Sequence, residues 1–288
     1  MSSTPTVRRR RLGAKLRDLR DGHGWTLEDA VARLRDRGVS LTVAKLSRLE
    51  TARSAAKPAD VEALLDLYGA DDAELRSALL LLTREGARRG WWHSYRSVLS
   101  PVYEDLISLE ADATSIRSWQ LAVIPGLLQT AEYARGIISA TAMSEAVAAK
   151  VDALVEVRLA RQAVLTREDP VKLWTIIHEN ALRVRGADGV MAEQLSRLLT
   201  LSRRPNITVQ ILPADAPLHV GQTGAYSILS FDDHADLDVV HVEALASALY
   251  VEGRQSVSIH RDAFERLRAA ALSVEESELR IAKIREEL

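Results

Sequence analysis

Cysteine is absent from all 288 residues. Disulfides, zinc ribbons and thiolate nucleophiles are therefore excluded. No apolar run reaches the roughly 18–20 residues that a membrane-spanning helix needs. The N-terminus, MSSTPTVRRRRLGAKL, is basic but lacks the apolar core and small-residue cleavage site of a secretory signal, so a cytoplasmic location is expected. Phosphate-cradling GxxxxGK[ST], dinucleotide-binding GxGxxG and the GxSxG nucleophile elbow are all missing. The histidines at 23, 93, 178, 219, 234, 241 and 260 form neither HxxxH nor HExxH. Motifs thus assign no catalytic residue, no metal and no cofactor. Asp232, Asp233 and His234 could hold a metal by residue type, but adjacent acids between strands read more simply as turn chemistry.

What is present suits a two-domain globular protein: 47% of residues are hydrophobic and 27% charged. The net charge of −2 hides an asymmetry. Residues 1–57 hold 14 Lys/Arg against 6 Asp/Glu, a net of +8, so the rest of the chain carries −10. A basic module on an acidic body is the pattern expected if that module alone meets phosphates.

Within the basic module, Arg8 to Arg11 read as an arm that can lie along phosphates or enter a minor groove, or as a simple basic tail. Leu12, Leu16 and Leu19 predict a helix from about Arg11, ended by Gly22 and Gly24. Thr26 is placed to cap a second helix, with Glu28 and Asp29 at its positive end and Leu27, Ala30, Val31 and Leu34 facing inward. Thr42 caps a third, anchored by Leu46 and Leu49. Its outward face is Val43, Ala44, Lys45, Ser47 and Arg48. Small groups that approach bases beside long cationic donors are what a major-groove reading helix needs. Lys45 stands where a capping box would place an acid, which favours phosphate. Two more helices follow, with Val61, Leu64, Leu65 and Tyr68, then Leu75, Leu79 and Leu82, facing inward.

The spaced leucines of the first helix, GWTLEDAVARL, TVAKLSRLET and PADVEALLDLYG together resemble the XRE (Cro/C1-type) helix-turn-helix family over roughly residues 11–70. The link from Leu34 to Thr42 is longer than the tight turn usual there. The resemblance implies an all-α helix-turn-helix domain of about five helices (1–85) that binds double-stranded DNA. Expected contacts are Thr42, Val43, Ala44, Lys45, Ser47 and Arg48, with Arg10, Arg11 and Thr26 beside them. Paired half-sites imply a homodimer.

Residues 86–101 read as a Trp-rich linker in which Trp91 and Trp92 either wedge between domains or bind a partner. The region 102–288 reads as an α+β domain: a helical block to about Arg167, including a helix over 103–119 and a long helix over 144–166, followed by a small mixed sheet and two closing helices. His241 and Glu243 share one strand face by the period of two. With Trp91, Trp92, Gln129, His178 and Glu179 they are the candidate ligand or partner pocket, and the only place where a hydrolase of unfamiliar pattern could hide. GWWHSY, PGLLQTAEYARGII, VRLARQAVLTRE, IIHENALRVRG and PNITVQILP resemble the C-terminal domain of an actinobacterial regulator family, a domain of unknown function described as toxin–antitoxin-like. That resemblance implies a transcriptional regulator, nucleoid-associated when bound to DNA, often encoded beside a small acidic protein that it binds. It leaves open an antitoxin-like protein whose main task is sequestering that partner.

Overall fold

A computed structural model describes residues 6–83, 91–184, 186–231, 237–245 and 247–288. It divides into two compact units, residues 1–90 with 232–237, and residues 91–231 with 238–288. The Asp232-Asp233-His234 turn lies outside the described residues, as do 84–90 of the expected linker.

The first unit is all-helical: α1 (Val7–Gly22), α2 (Leu27–Asp36), α3 (Val43–Glu50), α4 (Pro58–Leu67) and α5 (Ala73–Thr83). Leu16, Leu34, Leu46, Leu64, Leu65 and Leu79 are wholly buried in its core. The caps are local chemistry. Thr26 accepts from the Asp29 N–H at 3.1 Å while Asp29 accepts from the Thr26 N–H at 3.0 Å, a reciprocal capping box. Thr42 accepts from the Lys45 N–H at 3.2 Å. Asp72 accepts from Glu74 and Leu75 to start α5.

The long α2–α3 link is built rather than loose. Gly38 takes the left-handed φ of +79°, Gly38 N–H donates to Arg35 O and Val39 N–H to Leu34 O, which is a Schellman closure. Leu41 is then buried in the core, and the Arg37 guanidinium donates to Asp66 O at 3.0 Å. One expectation fails here. Arg8–Arg11 are not an arm: α1 begins at Val7, capped by Thr6, so the arginines lie in its first two turns.

The second unit is built on a mixed sheet of order β3-β2-β1-β4-β5-β6: β1 (Ser115–Gln120), β2 (Lys172–His178), β3 (Ile207–Leu212), β4 (Tyr226–Ser230), β5 (Val239–Ala244) and β6 (Ser247–Val251). β1, β2 and β3 run parallel, while β4, β5 and β6 join antiparallel. The α+β class stands, with two corrections. The expected helix over 103–119 ends at Asp112 as α6 (Pro101–Asp112), and Ser115–Gln120 is the central strand β1 inside the helical block. Both sides of this strand are covered, so Ser118 and Trp119 are buried alike and the usual inside/outside alternation is erased. The expected long helix over 144–166 is broken at Ala149–Lys150 into α8 (Glu145–Ala148) and α9 (Val151–Arg161), preceded by α7 (Ala131–Thr141). Ser144 caps the first piece, and Lys150 turns its ammonium to Ser97 O at 2.8 Å.

The two sheet faces differ. One carries Trp119, Ile176, Ile228 and Val240, packed with Val257, Phe264 and Leu267 of α11 (Arg254–Ala270). The other faces α6, α9 and the 123–127 loop. α10 (Val190–Leu201) and α12 (Val274–Glu286) complete the unit, and the Ser277 hydroxyl of α12 accepts from the Ile211 N–H of edge strand β3 at 2.9 Å.

Candidate nucleic-acid interface and C-terminal cavity

On α3, Leu46 and Leu49 point into the core, while Thr42, Ala44 and Arg48 are exposed. Among the described residues the Arg48 guanidinium has no partner. The lysine differs. Lys45 Nζ lies 2.7 Å from Asp60 of α4, a half-buried pair, so it is not a free cation. Val43 is half-buried against the core, and Ser47 is half-buried. Thr26 is exposed, but both its hydroxyl and its N–H are engaged with Asp29. Arg11 is only 4% exposed and donates to the Leu237 carbonyl, so it cannot lie on a phosphate. Arg10 is half-buried on the first turn of α1.

The pose of α3 rests on contacts that spacing does not reveal. Arg20 of α1 forms a two-point ion pair with Glu50, the last residue of α3, at 2.8 and 2.7 Å, and both side chains are buried. The same guanidinium donates to Asp21 at 2.7 Å and to Trp25 O at 2.5 Å. One buried cation thus ties α1, the α1–α2 turn and α3 together. Gly13 sits where a Cβ would come within 2.5 Å of Leu49 O and 2.8 Å of Glu50 O, so only glycine admits this approach of α1 to the end of α3. His23 stacks on Trp25 at 4.4 Å and Arg33 lies over the same indole at 4.5 Å, sealing the turn.

In the second unit the seven pocket candidates do not converge. Residues 173, 175 and 177 of β2 share the sheet face of His241, and His178 lies on the other. His178 packs with Trp119 and with His219 at 6.0 Å, and its Nδ1 accepts from the Asn180 N–H. Burial, with His219 beside it, lowers its pKa. Glu179 is held by Arg280 at 2.6 Å and Arg183 at 3.1 Å. Burial pushes its pKa up, but the Ala214 N–H and the two arginines outweigh that and lower it. Gln129 is buried and spent on structure: it donates to Ile124 O and accepts from Arg158. Trp92 packs on Ile107 and Val157 with Tyr95, and Trp91 meets Trp92 edge-on.

His241 and Glu243 do line a cavity of about 230 Å³ between the sheet and the helical layer. Its floor includes Ser118, Ser227 and His241, which are register partners across β1, β4 and β5. Its roof includes Leu106 and Glu110 of α6, Arg161 of α9, and Val123, Pro125, Gly126 and Leu127. Glu110 and Arg161 form a fully buried two-point pair at 2.8 and 2.6 Å, and Arg161 also donates to the Tyr103 hydroxyl. Burial, with Arg161 nearby and against the pull of Glu110, pushes the His241 pKa down to about 4, so its ring is neutral. Ser118 and Ser227 belong to no motif, and Glu110 and Arg161 stand on helix faces that periodicity reads as solvated, so sequence alone singles out none of the four.

A family model described as a helix-turn-helix domain matches residues 11–78. A second, described as a domain of unknown function (DUF5753), matches residues 103–283. No curated protein matches the chain. The first match coincides with α1 to α5, and the second takes in the whole sheet with its helices. The chain therefore carries an N-terminal helix-turn-helix domain and belongs to the DUF5753 family.

Proposed function

We propose that this chain is a sequence-specific transcriptional regulator of the XRE type that reads the major groove with α3 and acts in the cytoplasm, on the nucleoid. The observation that carries the reading is the exposed Thr42, Ala44 and Arg48 face on a helix otherwise anchored in the core of a basic domain. Arg48 is the principal base reader, because it is exposed and its forked donors suit a guanine edge. Lys45 serves phosphate by exchanging Asp60 for it, a swap between two anions across one half-buried ammonium.

A dimer through the second unit accompanies this reading. β6 is the last strand of the sheet, Leu249 on it is 60% exposed, and Leu245 beside it is 69% exposed. Natural proteins seldom leave such an edge to water, and pairing two copies along β6 would cover it with twofold symmetry. No catalysis is assigned to this unit: Glu179 is neutralised by two arginines, and His178 and His241 face opposite sides of the sheet.

The test begins with genome-wide mapping of bound sites, then measures operator affinity at fixed salt. Arg48→Ala should cost about 1–3 kcal/mol and relax specificity at one base position. Lys45→Gln should weaken binding to all sequences alike and lower the salt slope by about one. Unchanged affinity in both variants refutes the assignment of α3. Leu249→Lys should shift the sedimentation coefficient from dimer to monomer; an unshifted value removes β6 as the dimer surface.

A further inference from the structure

We infer that the cavity between the sheet and the α6–α9 layer binds a small uncharged molecule with an apolar body and one hydrogen-bonding head, of the alcohol, phenol or amide class. This holds whether or not α3 reads DNA.

Size comes first. About 230 Å³ lies just below the roughly 300–1,000 Å³ of drug-sized sites and equals about eight waters at liquid density. The occupant is therefore a small metabolite, on the order of ten non-hydrogen atoms. Shape and polarity come next. Leu106, Ile116, Val123, Leu127, Leu173 and Leu229 supply an apolar wall. Against it, the floor presents hydrogen-bonding groups that the chain does not use up. Ser118 accepts from Gln120 Nε2 at 2.9 Å and shares a hydrogen bond with the Ser227 hydroxyl at 3.2 Å, so one of the two hydroxyl protons has no acceptor among the described residues. His241 is buried and touches the Tyr250 ring, yet neither ring nitrogen has a hydrogen-bond partner among the described residues. Hydrogen-bonding capacity that faces a cavity and is not used within the chain is available to a ligand. Here the Ser118–Ser227 pair and His241 lie side by side across the floor, offering a donor and an acceptor within reach of a single head group.

Charge selects the class. Among the described residues the one cation at the wall is Arg161, and it is saturated by Glu110 and Tyr103. The free charge is the exposed Glu243 carboxylate, which also lines the cavity. An anion finds no counter-charge and meets Glu243. A cation can meet Glu243 only by leaving the unsatisfied floor untouched. A neutral head satisfies the floor without either penalty.

Three probes of similar size separate these cases: 2-phenylethanol, 2-phenylethylamine and phenylacetate, each titrated into the full chain with saturation-transfer NMR. 2-Phenylethanol should bind with a millimolar Kd, at least about tenfold tighter than phenylacetate, with the amine between them. Ser227→Leu should abolish alcohol binding. Ala225→Val, a milder filling at the cavity wall, should weaken it severalfold, with an unchanged circular dichroism spectrum showing that the fold persists. Glu243→Gln should narrow the gap between amine and acetate. No binding of the alcohol to the wild-type chain, equal binding of all three probes, or alcohol binding unchanged by Ser227→Leu and Ala225→Val would each overturn the inference.

Discussion

Replacing Glu50 by alanine should loosen α3 while leaving its exposed side chains, Thr42, Ala44 and Arg48, in place. Glu50 and Arg20 are 6% and 8% exposed, and their two hydrogen bonds are 2.8 and 2.7 Å long. Removing one partner of a buried pair costs about 3–5 kcal/mol, chiefly because the survivor keeps its desolvation without its counter-charge. In Glu50→Ala the surviving Arg20 still has Asp21 and Trp25 O, which puts the loss near the lower end, about 3 kcal/mol. In Arg20→Met the surviving Glu50 retains, among the described residues, only Arg17 at 3.7 Å, a side chain half in solvent, which puts that loss near the upper end. Arg20→Met/Glu50→Leu should recover much of it, because no buried charge remains. Native-state hydrogen exchange reads this helix by helix. A loss of about 3 kcal/mol speeds exchange of residues 43–50 on the order of a hundredfold, while strands β1 to β6 keep their protection. If both single variants exchange within about threefold of wild type, or if the double variant is worse than either, the pair does not hold α3 and the argument fails.

Gly13→Ala pits a helix-propensity gain of up to about 1 kcal/mol against a clash with two backbone carbonyls that have no flexible end to yield. Overpacking should win, with a net loss of about 1–3 kcal/mol in urea denaturation of the N-terminal transition; a stabilised variant would show that α1 and α3 are not in this contact. His241 should make the C-terminal unit acid-sensitive. Its folded pKa of about 4 lies below the ordinary 6.5, so in that window the unfolded chain binds a proton that the folded chain does not. Stability is full above 6.5 and falls by about 3 kcal/mol as the pH drops through about 4. The groups facing the ring are Glu110, Arg161, Tyr250 and Glu243, and Glu110 moderates the effect. His241→Gln should flatten that part of the urea-midpoint profile, and a profile identical to wild type would exclude His241 as its cause.

What the chain discloses before folding is what neighbours along it decide. Thr26, Thr42 and Ser273 cap their helices because an oxygen at one position reaches an N–H three residues on, and the residue types announce it. Gly38 ends α2 for an equally local reason. β1 was hidden because its alternation is lost once both faces are covered. The separation of His178 from His241 was hidden because parity along one strand says nothing about parity on another until the register across β1 and β4 is known. The same division runs through α3. Its existence, cap and apolar stripe are written locally, and so is the exposure of Arg48. Its orientation is not. That depends on Gly13 against Leu49, on Arg20 against Glu50, on Leu41 in the core and on Asp60 holding Lys45, partners 15 to 36 residues apart for the named pairs and on different helices. A groove-reading face needs only side chains, but specificity needs them held at one angle. The residues that set that angle here are a glycine and buried charges, which a composition reads as a helix breaker and as solvated surface. Specificity in this domain should therefore be more sensitive to Gly13, Arg20 and Glu50 than their distance from the exposed face suggests.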